Sequence, residues 1–479
     1  MNNTGHHMTD LRPYPEYRDS GLPWLGRLPQ HWGTGPGFAA FREKEVKNTG
    51  MQEKTVLSLS YGRIVVKPPE KLHGLVPESF ETYQVLDPGD IIIRSTDLQN
   101  DWNSLRVGLV RDHGIITSAY LCLKTTAALT PEFGYLLLHA FDLMKVFYGM
   151  GSGLRQNLSF SDFKRMLIFV PPPDEQAAIV RFLDHANRRV ERFVLNRRRL
   201  IEVLTEQKQA IINRAVTRGL DPTVRLKPSG VEWLADIPEP WDCLPHRAVF
   251  EEIKEQGHID EPLLSVTISK GIIRQSDLLV NSSKKDSSNL DKSKYKLVMP
   301  DDIAYNKMRA WQGAVGVSRY RGIVSPAYIV VRLRGANNAD YFHFLFRTPG
   351  FAKEAERWSY GITSDMWSLR SEHFKMIYSC IPPRPEQDAI VCFLDEATAD
   401  INKAIDRARR EIALIREYRT RLIADVVTGK LDVRGLAPGG QLAGAEIVED
   451  ENQAVDIDDV EVLVGGEPEL VEGAADGEE

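Results

Sequence analysis

From Ala177 to Arg218 the apolar positions advance in alternating steps of four and three: Ile179, Leu183, Ala186, Val190, Phe193, Leu200, Leu204 and Ile211, with Arg197 and Gln207 on the same seam. No proline or glycine interrupts this run before Gly219, and Pro171-Pro172-Pro173-Asp174-Glu175-Gln176 opens it with a proline stop and an acidic first turn. A second run opens at Pro382-Pro383-Arg384-Pro385-Glu386-Gln387 and ends at Gly429. Its seam is Ile390, Leu394, Ala397 and Ile401, then, after a shift, Ile405, Ala408, Ile412, Ile415, Arg419, Leu422 and Val426. This spacing predicts two long helices that pair helix on helix. Each has roughly 42 residues and, at about 1.5 Å per residue, spans some 63 Å. Arg197, Gln207 and Arg419 read as register-setting or partly exposed places on the seam.

Short runs rich in β-branched and aromatic residues precede each helix. Val56 to Tyr61, Ile91 to Arg94, Arg106 to Val110 and Tyr120 to Leu123 predict strands, and Pro131 to Tyr148 predicts a helix. Further on, Leu263 to Thr267, Ile303 to Tyr305, Ala314 to Val317 and Tyr328 to Leu333 predict strands, with Ala339 to Phe346 as a helix. The two halves are copies of one unit. Ser20-Gly21, Trp24-Leu25, Pro29 and Trp32 reappear at Ser229-Gly230, Trp233-Leu234, Pro238 and Trp241, a shift of about 209 positions. Colinear matches join Asp87-Pro88-Gly89-Asp90 to Met299-Pro300-Asp301-Asp302, Gly114-Ile115 to Gly322-Ile323, and Phe163-Lys164 to Phe374-Lys375. The fold class expected is α+β: two tandem mixed α/β domains, each followed by a long helix, the helices pairing as an antiparallel coiled coil with pseudo-two-fold symmetry. The predicted domains are 1–170 and 220–381, the helices 171–219 and 382–430, and an acidic, disordered tail 436–479 completes the chain. Antiparallel pairing would put the globular segments at opposite ends of one rod, as in a two-fold dimer fused into one chain. Diverged halves would then read an asymmetric, bipartite site.

Length supports this division, since 479 residues exceed one ordinary core. No apolar run reaches the roughly 20 residues of a membrane span, and the N-terminus lacks a signal pattern, so a cytoplasmic protein with no membrane partner is expected. Cys122, Cys243, Cys380 and Cys392 form no C-x-x-C pair and read as reduced, mostly buried thiols rather than a zinc site. The formal charge is −7. About 14 acidic residues and no Lys or Arg follow Gln441, which leaves the body at roughly +7. A mildly basic body is compatible with phosphate backbones.

Catalytic motifs are missing: there is no Walker loop, dinucleotide fingerprint, H-E-x-x-H pair or amino-methyltransferase motif. Asp90 and Asp302 could suggest metal carboxylates, but turn chemistry accounts for both. No catalytic residue, metal ligand or cofactor is therefore assigned to this chain. The polar loops after these aspartates are the candidates for recognition. In the first, Arg94, Ser95, Thr96, Asp97, Gln99, Asn100, Asn103 and Arg106 stand around Trp102; in the second, Asn306, Lys307, Arg309, Trp311 and Gln312. Arg, Lys, Asn and Gln can make paired hydrogen bonds to guanine and adenine edges. Ordinary polar turns with buried Trp102 and Trp311 would account for the same residues. A second pair of stretches precedes the helices: Arg155, Gln156 and Asn157 in one, and Thr363, Ser364 and Asp365 in the other. Arg155 and Gln156 suit bases or phosphate, Thr363 and Ser364 phosphate, and Asp365 cytosine N4. Glycine-containing turns that cap neighbouring elements explain them equally well. Asn281 to Asp286, rich in lysine, reads as a solvated loop, with phosphate contact as the second reading.

The repeated Ser-Gly, Trp-Leu and Pro-x-x-Trp residues, the Pro-Pro-x-x-Glu-Gln entries at Pro172 and Pro383, and helices ending near Leu220-Asp221 and Leu431-Asp432 together carry a family resemblance. Over about residues 14 to 435 the chain resembles a specificity subunit of type I restriction-modification enzymes. The resemblance implies two target-recognition domains on double-stranded DNA, the first on the 5′ half of a split site, with the helices as a ruler between them. It also implies two DNA methyltransferase subunits as partners, which bring S-adenosylmethionine and flip an adenine. Restriction and translocase subunits would use ATP and Mg. None of that chemistry would belong to this chain, and the acidic tail departs from the family's usual compact end. A coiled-coil scaffold that joins proteins without reading DNA is the alternative.

Overall fold

The computed structural model describes residues 11–22, 24–68, 79–99, 101–150, 157–279, 291–361 and 366–436, side chains 278 and 279 excepted. The lysine-rich stretch 281–286 lies outside them. The chain forms two compact units: the first takes the chain up to Asn196 and resumes at Arg410, and the second is Arg197–Arg409.

Both units repeat one plan. In the first, a four-stranded antiparallel sheet runs Phe41–Glu43, Leu121–Thr125, Ile91–Ile93, Val107–Leu109. In the second the order is Phe250–Ile253, Tyr328–Leu333, Ile303–Asn306, Val315–Val317. Side chains alternate between faces along a strand, and both faces of this sheet are covered. Ile91 and Ile93 join Phe133, Leu137 and Phe141 of the helix Pro131–Leu143 in the main core. Ile92 points the other way, into a smaller core with Leu57, Leu86 and Ile116. That is why three isoleucines stand in a row. Ile303 and Tyr305 likewise face Tyr341 and Phe342, while Ala304 meets Leu264, Val298 and Val330.

The long helices are Pro173–Arg218 and Arg384–Val427. Within the first unit Ile179, Leu183 and Ala186, at the start of one, share a core with Leu422, Ile423, Val426 and Val427, at the end of the other. Within the second unit Ile212, Ala215 and Val216 share a core with Ile390 and Leu394. The helices therefore pack antiparallel, and neither unit is complete without a piece of each. Past Val190 the buried positions of the first helix are Val194, Ile201, Ile212, Ala215 and Val216, and not Phe193, Leu200 and Ile211. Two successive steps of four shift the seam by one residue, because an unsupercoiled helix drifts against a strict heptad. Leu200 and Gln207 are exposed in consequence.

The repeated motif explains how sheet and helices join. Trp32 and Trp241 are fully buried. Trp32 donates its indole N–H to Glu175 Oε2 at 2.8 Å, and Trp241 donates to Glu386 Oε2 at 3.0 Å. The neighbouring glutamine ties the helix entry to the loop before the short helix. Gln176 donates to Ala128 O and Pro171 O, both at 2.9 Å, and accepts from Thr130 N at 3.0 Å. Gln387 donates to Asn337 Oδ1 and Pro382 O and accepts from Asn338 N. The far helix end closes the joint: Gly219 and Gly429, at φ +74° and +73°, lie against Trp241 and Trp32 respectively. In the first unit Tyr14 OH also donates to Glu175 Oε2 at 3.0 Å, while Asp432 N donates to Arg12 O at 2.7 Å.

Other parts of the sequence reading also need correction. Cys243 and Cys380 are disulfide-bonded, not reduced thiols: they face each other across the strands Asp242–Pro245 and Tyr378–Ile381, with Cα atoms 4.1 Å apart. A separation of 137 residues hid that pairing. Cys122 is buried, and burial pushes its thiol up to about 12. The helix expected over Pro131 to Tyr148 ends at Leu143, since Lys145 adopts φ 60° and a 3-10 turn, Val146–Gly149, follows. An unforeseen helix, Pro349–Arg357, is capped by Thr348, whose Oγ1 accepts from Phe351 N at 3.3 Å.

Gly429 is a direct test of the joint. A Cβ there would sit 2.6 Å from Pro29 Cγ and 3.0 Å from Trp32, whereas Gly21, at φ +69°, has open space around it. Gly21→Ala should cost only the left-handed backbone strain, about 1 kcal/mol. Gly429→Ala adds a clash in a close-packed core, roughly 1–3 kcal/mol more. Equal shifts of the urea midpoint for the two variants would show that the helix end is not held there.

Candidate nucleic-acid interface

The first polar loop leaves the central strand after Ile93 and returns at Val107. Arg106 holds it together. Its side chain is fully buried, and its guanidinium donates to Arg94 O, Thr96 O, Asp97 O, Asp101 O and Tyr148 OH at 2.6–3.1 Å. A guanidinium has five N–H donors, and here all five are taken up inside the protein. Arg106 is thus placed as the pin of the loop and presents no donor outward. Its backbone N–H donates to Asp142 Oδ2 at 2.6 Å, and burial raises the Asp142 carboxyl despite that bond. The break at Lys145 now has a purpose, because it brings the Tyr148 ring over the Arg106 guanidinium at 5.2 Å.

Around that pin the other candidates separate. Ser95 is buried and donates to Ala119 O at 3.1 Å. Arg94 is half-buried and ion-paired with Asp101 at 3.4 Å. Thr96 and Asp97 are half-buried, and Asp97 adopts φ 59°. Gln99 and Asn103 are exposed, and Asn100 lies outside the described residues. Trp102 is not a core residue. Its side chain is 52% exposed, with its ring 4.6 Å from Tyr148 and its indole N–H donating to Gln99 O at 3.1 Å.

The second unit builds its loop differently on the same strand pair. Asn306 is buried and accepts from Met308 N at 2.9 Å, an Asx turn that starts the loop. Trp311 donates to Met308 O at 3.0 Å, the same three-residue reach as Trp102, and its ring meets Trp367 at 5.6 Å. Lys307, Arg309 and Trp311 are half-buried, and Gln312 is exposed.

In each unit the structure brings this loop against the stretch before the long helix. Leu158 N donates to Ser95 O at 2.9 Å, and Asn157 Oδ1 accepts from Asp97 N at 3.3 Å. Leu369 N donates to Lys307 O at 2.8 Å in the second unit. Arg155, Gln156, Thr363, Ser364 and Asp365 lie outside the described residues. Tyr148 and Asp142 escaped the sequence reading as parts of the first loop cluster; an aromatic residue beside Gly149 was the available signal. Asp90 and Asp302 are buried turn residues. Asp90 Oδ2 accepts from Asp87 N and pairs with Lys44, while Asp302 accepts from Met299 N at 2.8 Å and from both Nε and Nη2 of Arg332. Among the described residues no three His, Cys, Asp or Glu side chains are grouped as a metal site, and no helix is long and apolar enough to cross a membrane.

Exposed amides on Gln99, Asn103 and Gln312 can each offer a donor and an acceptor to one base edge, and the open Trp102 ring offers a stacking face. The chain shares its fold with a chain of the structure described as "Structural basis underlying complex assembly and conformational transition of the type I R-M system". The TM-score is 0.56 at 14% identity, over 84% of this chain and 98% of that one. Also matched are the HsdS subunit from Thermoanaerobacter tengcongensis (TM-score 0.40, 16% identity, 84% and 98% covered) and the type I restriction-modification system S subunit from M. genitalium (0.32, 14%, 83% and 96%). The sequence matches no family model and no curated protein.

Replacing the pin tests the loop's construction. Arg106→Ala would leave several buried carbonyls without donors, a loss of about 3–5 kcal/mol as for other broken buried networks. Limited proteolysis should then cut between Arg94 and Arg106 faster than in the parent chain. An unchanged cleavage rate would mean that the loop is held elsewhere.

Proposed function

We propose that this chain is the DNA-specificity subunit of a type I restriction-modification complex. The carrying observation is the pair of loop clusters: one scaffold, built twice, presents different polar and aromatic residues from the same strand pair. Arg94, Gln99, Trp102 and Asn103 would face one half of a bipartite DNA site, and Lys307, Arg309 and Gln312 the other. Asn100, Arg155, Gln156, Thr363, Ser364 and Asp365, outside the described residues, stay candidates from sequence. Arg106 and Ser95 act as positioning residues behind the first cluster. The long helices would set the spacing between half-sites and dock two methyltransferase subunits, which supply S-adenosylmethionine. Restriction and translocase subunits would add ATP and Mg chemistry. This chain recognises and recruits, and the reactions belong to its partners. The shared fold with a type I system chain supports the reading, as does the dependence of each unit on both helices.

The test expresses the chain with its neighbouring methyltransferase in a methylation-free host and maps modified adenines genome-wide. A split motif with two defined halves is expected. Exchanging residues 37 to 160 for those of a relative should change one half and leave the other intact. The absence of a split motif, or a motif indifferent to the exchange, would favour the coiled-coil scaffold.

A further inference from the structure

A cleft of about 700 Å³ opens in the second unit between the loop after Ile303–Asn306 and the segment entering the short helix Ser371–Phe374. Lys254, Lys307, Arg370 and Lys375 line it with Glu252 and Glu372, over the apolar Ile329 and Met308. Glu252 is already satisfied: it accepts from Ser371 Oγ at 2.6 Å and from Lys375 Nζ at 3.0 Å, with Lys254 Nζ at 3.8 Å. The Lys307 and Arg370 side chains have no acceptor among the described residues. Four cations against two carboxylates leave the cleft net positive beside a candidate reading loop.

The first unit places other residues at the corresponding positions. Strand Phe41–Glu43 takes the place of Phe250–Ile253, and the bond from Leu158 N to Ser95 O takes that of Leu369 N to Lys307 O. Glu45 then stands for Lys254, Ser95 for Lys307, Ser159 for Arg370, and Lys164 for Lys375. Burial and the neighbouring Glu45 raise the Glu43 carboxyl, against the pull of Lys164. Ser159 closes a capping box on its helix, whereas Arg370, at the equivalent cap, makes no capping bond. An arginine at a helix cap gives up a local hydrogen bond that serine provides in the sister copy. Such breaks with local preference are expected where function takes priority.

We propose that the second unit's cleft is a phosphate seat. Lys254, Lys307 and Arg370 would grip the DNA sugar–phosphate backbone beside the second reading loop, where the first unit has Glu45, Ser95 and Ser159. Arginine suits this because its planar fork matches two phosphate oxygens. Contacts of this kind fix register on the duplex without reading sequence. The inference rests on the DNA reading proposed above. It predicts unequal halves: backbone anchoring comes mainly from the second unit.

The experiment titrates the full chain against a fluorescein-labelled duplex of random sequence, following anisotropy over a salt series from roughly 50 to 200 mM. Each lost phosphate contact lowers the slope of log K against log salt by about 0.9. Lys307→Ala with Arg370→Ala should flatten the slope by about 2. Lys307→Arg with Arg370→Lys should keep it, which separates lost contact from lost fold. Lys164→Ala, in the first unit, should leave it unchanged. A steep parental slope that survives the double alanine variant would overturn the phosphate seat and spare the DNA reading. An equal loss from Lys164→Ala would overturn the asymmetry. A parent chain whose duplex binding is absent or independent of salt would remove the reading and the seat together.

Discussion

One carboxylate per unit holds the architecture in place. Glu175 and Glu386 sit in the first turn of the long helices, where the helix dipole favours negative charge, and each accepts the indole N–H of a buried tryptophan. The tryptophan supplies a large apolar contact, whose loss typically costs about 3–5 kcal/mol. The glutamate makes that contact possible, since a buried N–H without an acceptor costs about 1–3 kcal/mol. The glycine ending the opposite helix lies against the same ring, so one joint fixes a helix start, a helix end and the globular segment between them. In the first unit Tyr14 and Arg434 add to Glu175, and the described ends of the chain are tied together through Arg12 and Asp432. In the second unit the chain runs on through Leu220 and Asp221 at the equivalent place.

A fixed scaffold lets loops vary. The sheet is buried on both faces, which leaves little freedom to its strands, and the loops after its central strands differ in length and residues between the copies. There each unit uses partly buried hydrogen bonds to hold an irregular loop: Arg106 on four carbonyls in one, the Asn306 turn and the Trp311 indole in the other. Different pins on a common frame are what the proposed reader of two unlike half-sites would require. Functional groups carried on loops positioned by a rigid frame are the usual arrangement.

Much of the frame was legible because the repeat multiplied weak signals. Ile91-Ile92-Ile93 alone is ambiguous between strand and buried helix, but its alignment with Ile303-Ala304-Tyr305 and the flanking turns resolves it. The Glu-Gln pair after each proline stop marked the helix starts, though its tryptophan and loop partners could be seen only in three dimensions. What escaped depended on long-range contact or on phase. The Cys243–Cys380 pairing needs the register of two strands far apart in sequence, and the seam beyond Val190 turns on a one-residue drift. Lys145 breaks its helix because Tyr148 is drawn onto Arg106, a residue that sequence alone counts among exposed loop cations.

If loops read and helices measure, the two roles must be separable. Inserting one heptad in Ala177 to Arg218, with a matching heptad in Arg384 to Val427, lengthens each helix by about 10 Å, roughly three base pairs of duplex. Adenine methylation mapped with the partner methyltransferase should then show both half-sites unchanged and the spacer between them longer by about that amount. Altered half-site bases at an unchanged spacer would contradict the account, since the helices would then be reading rather than measuring.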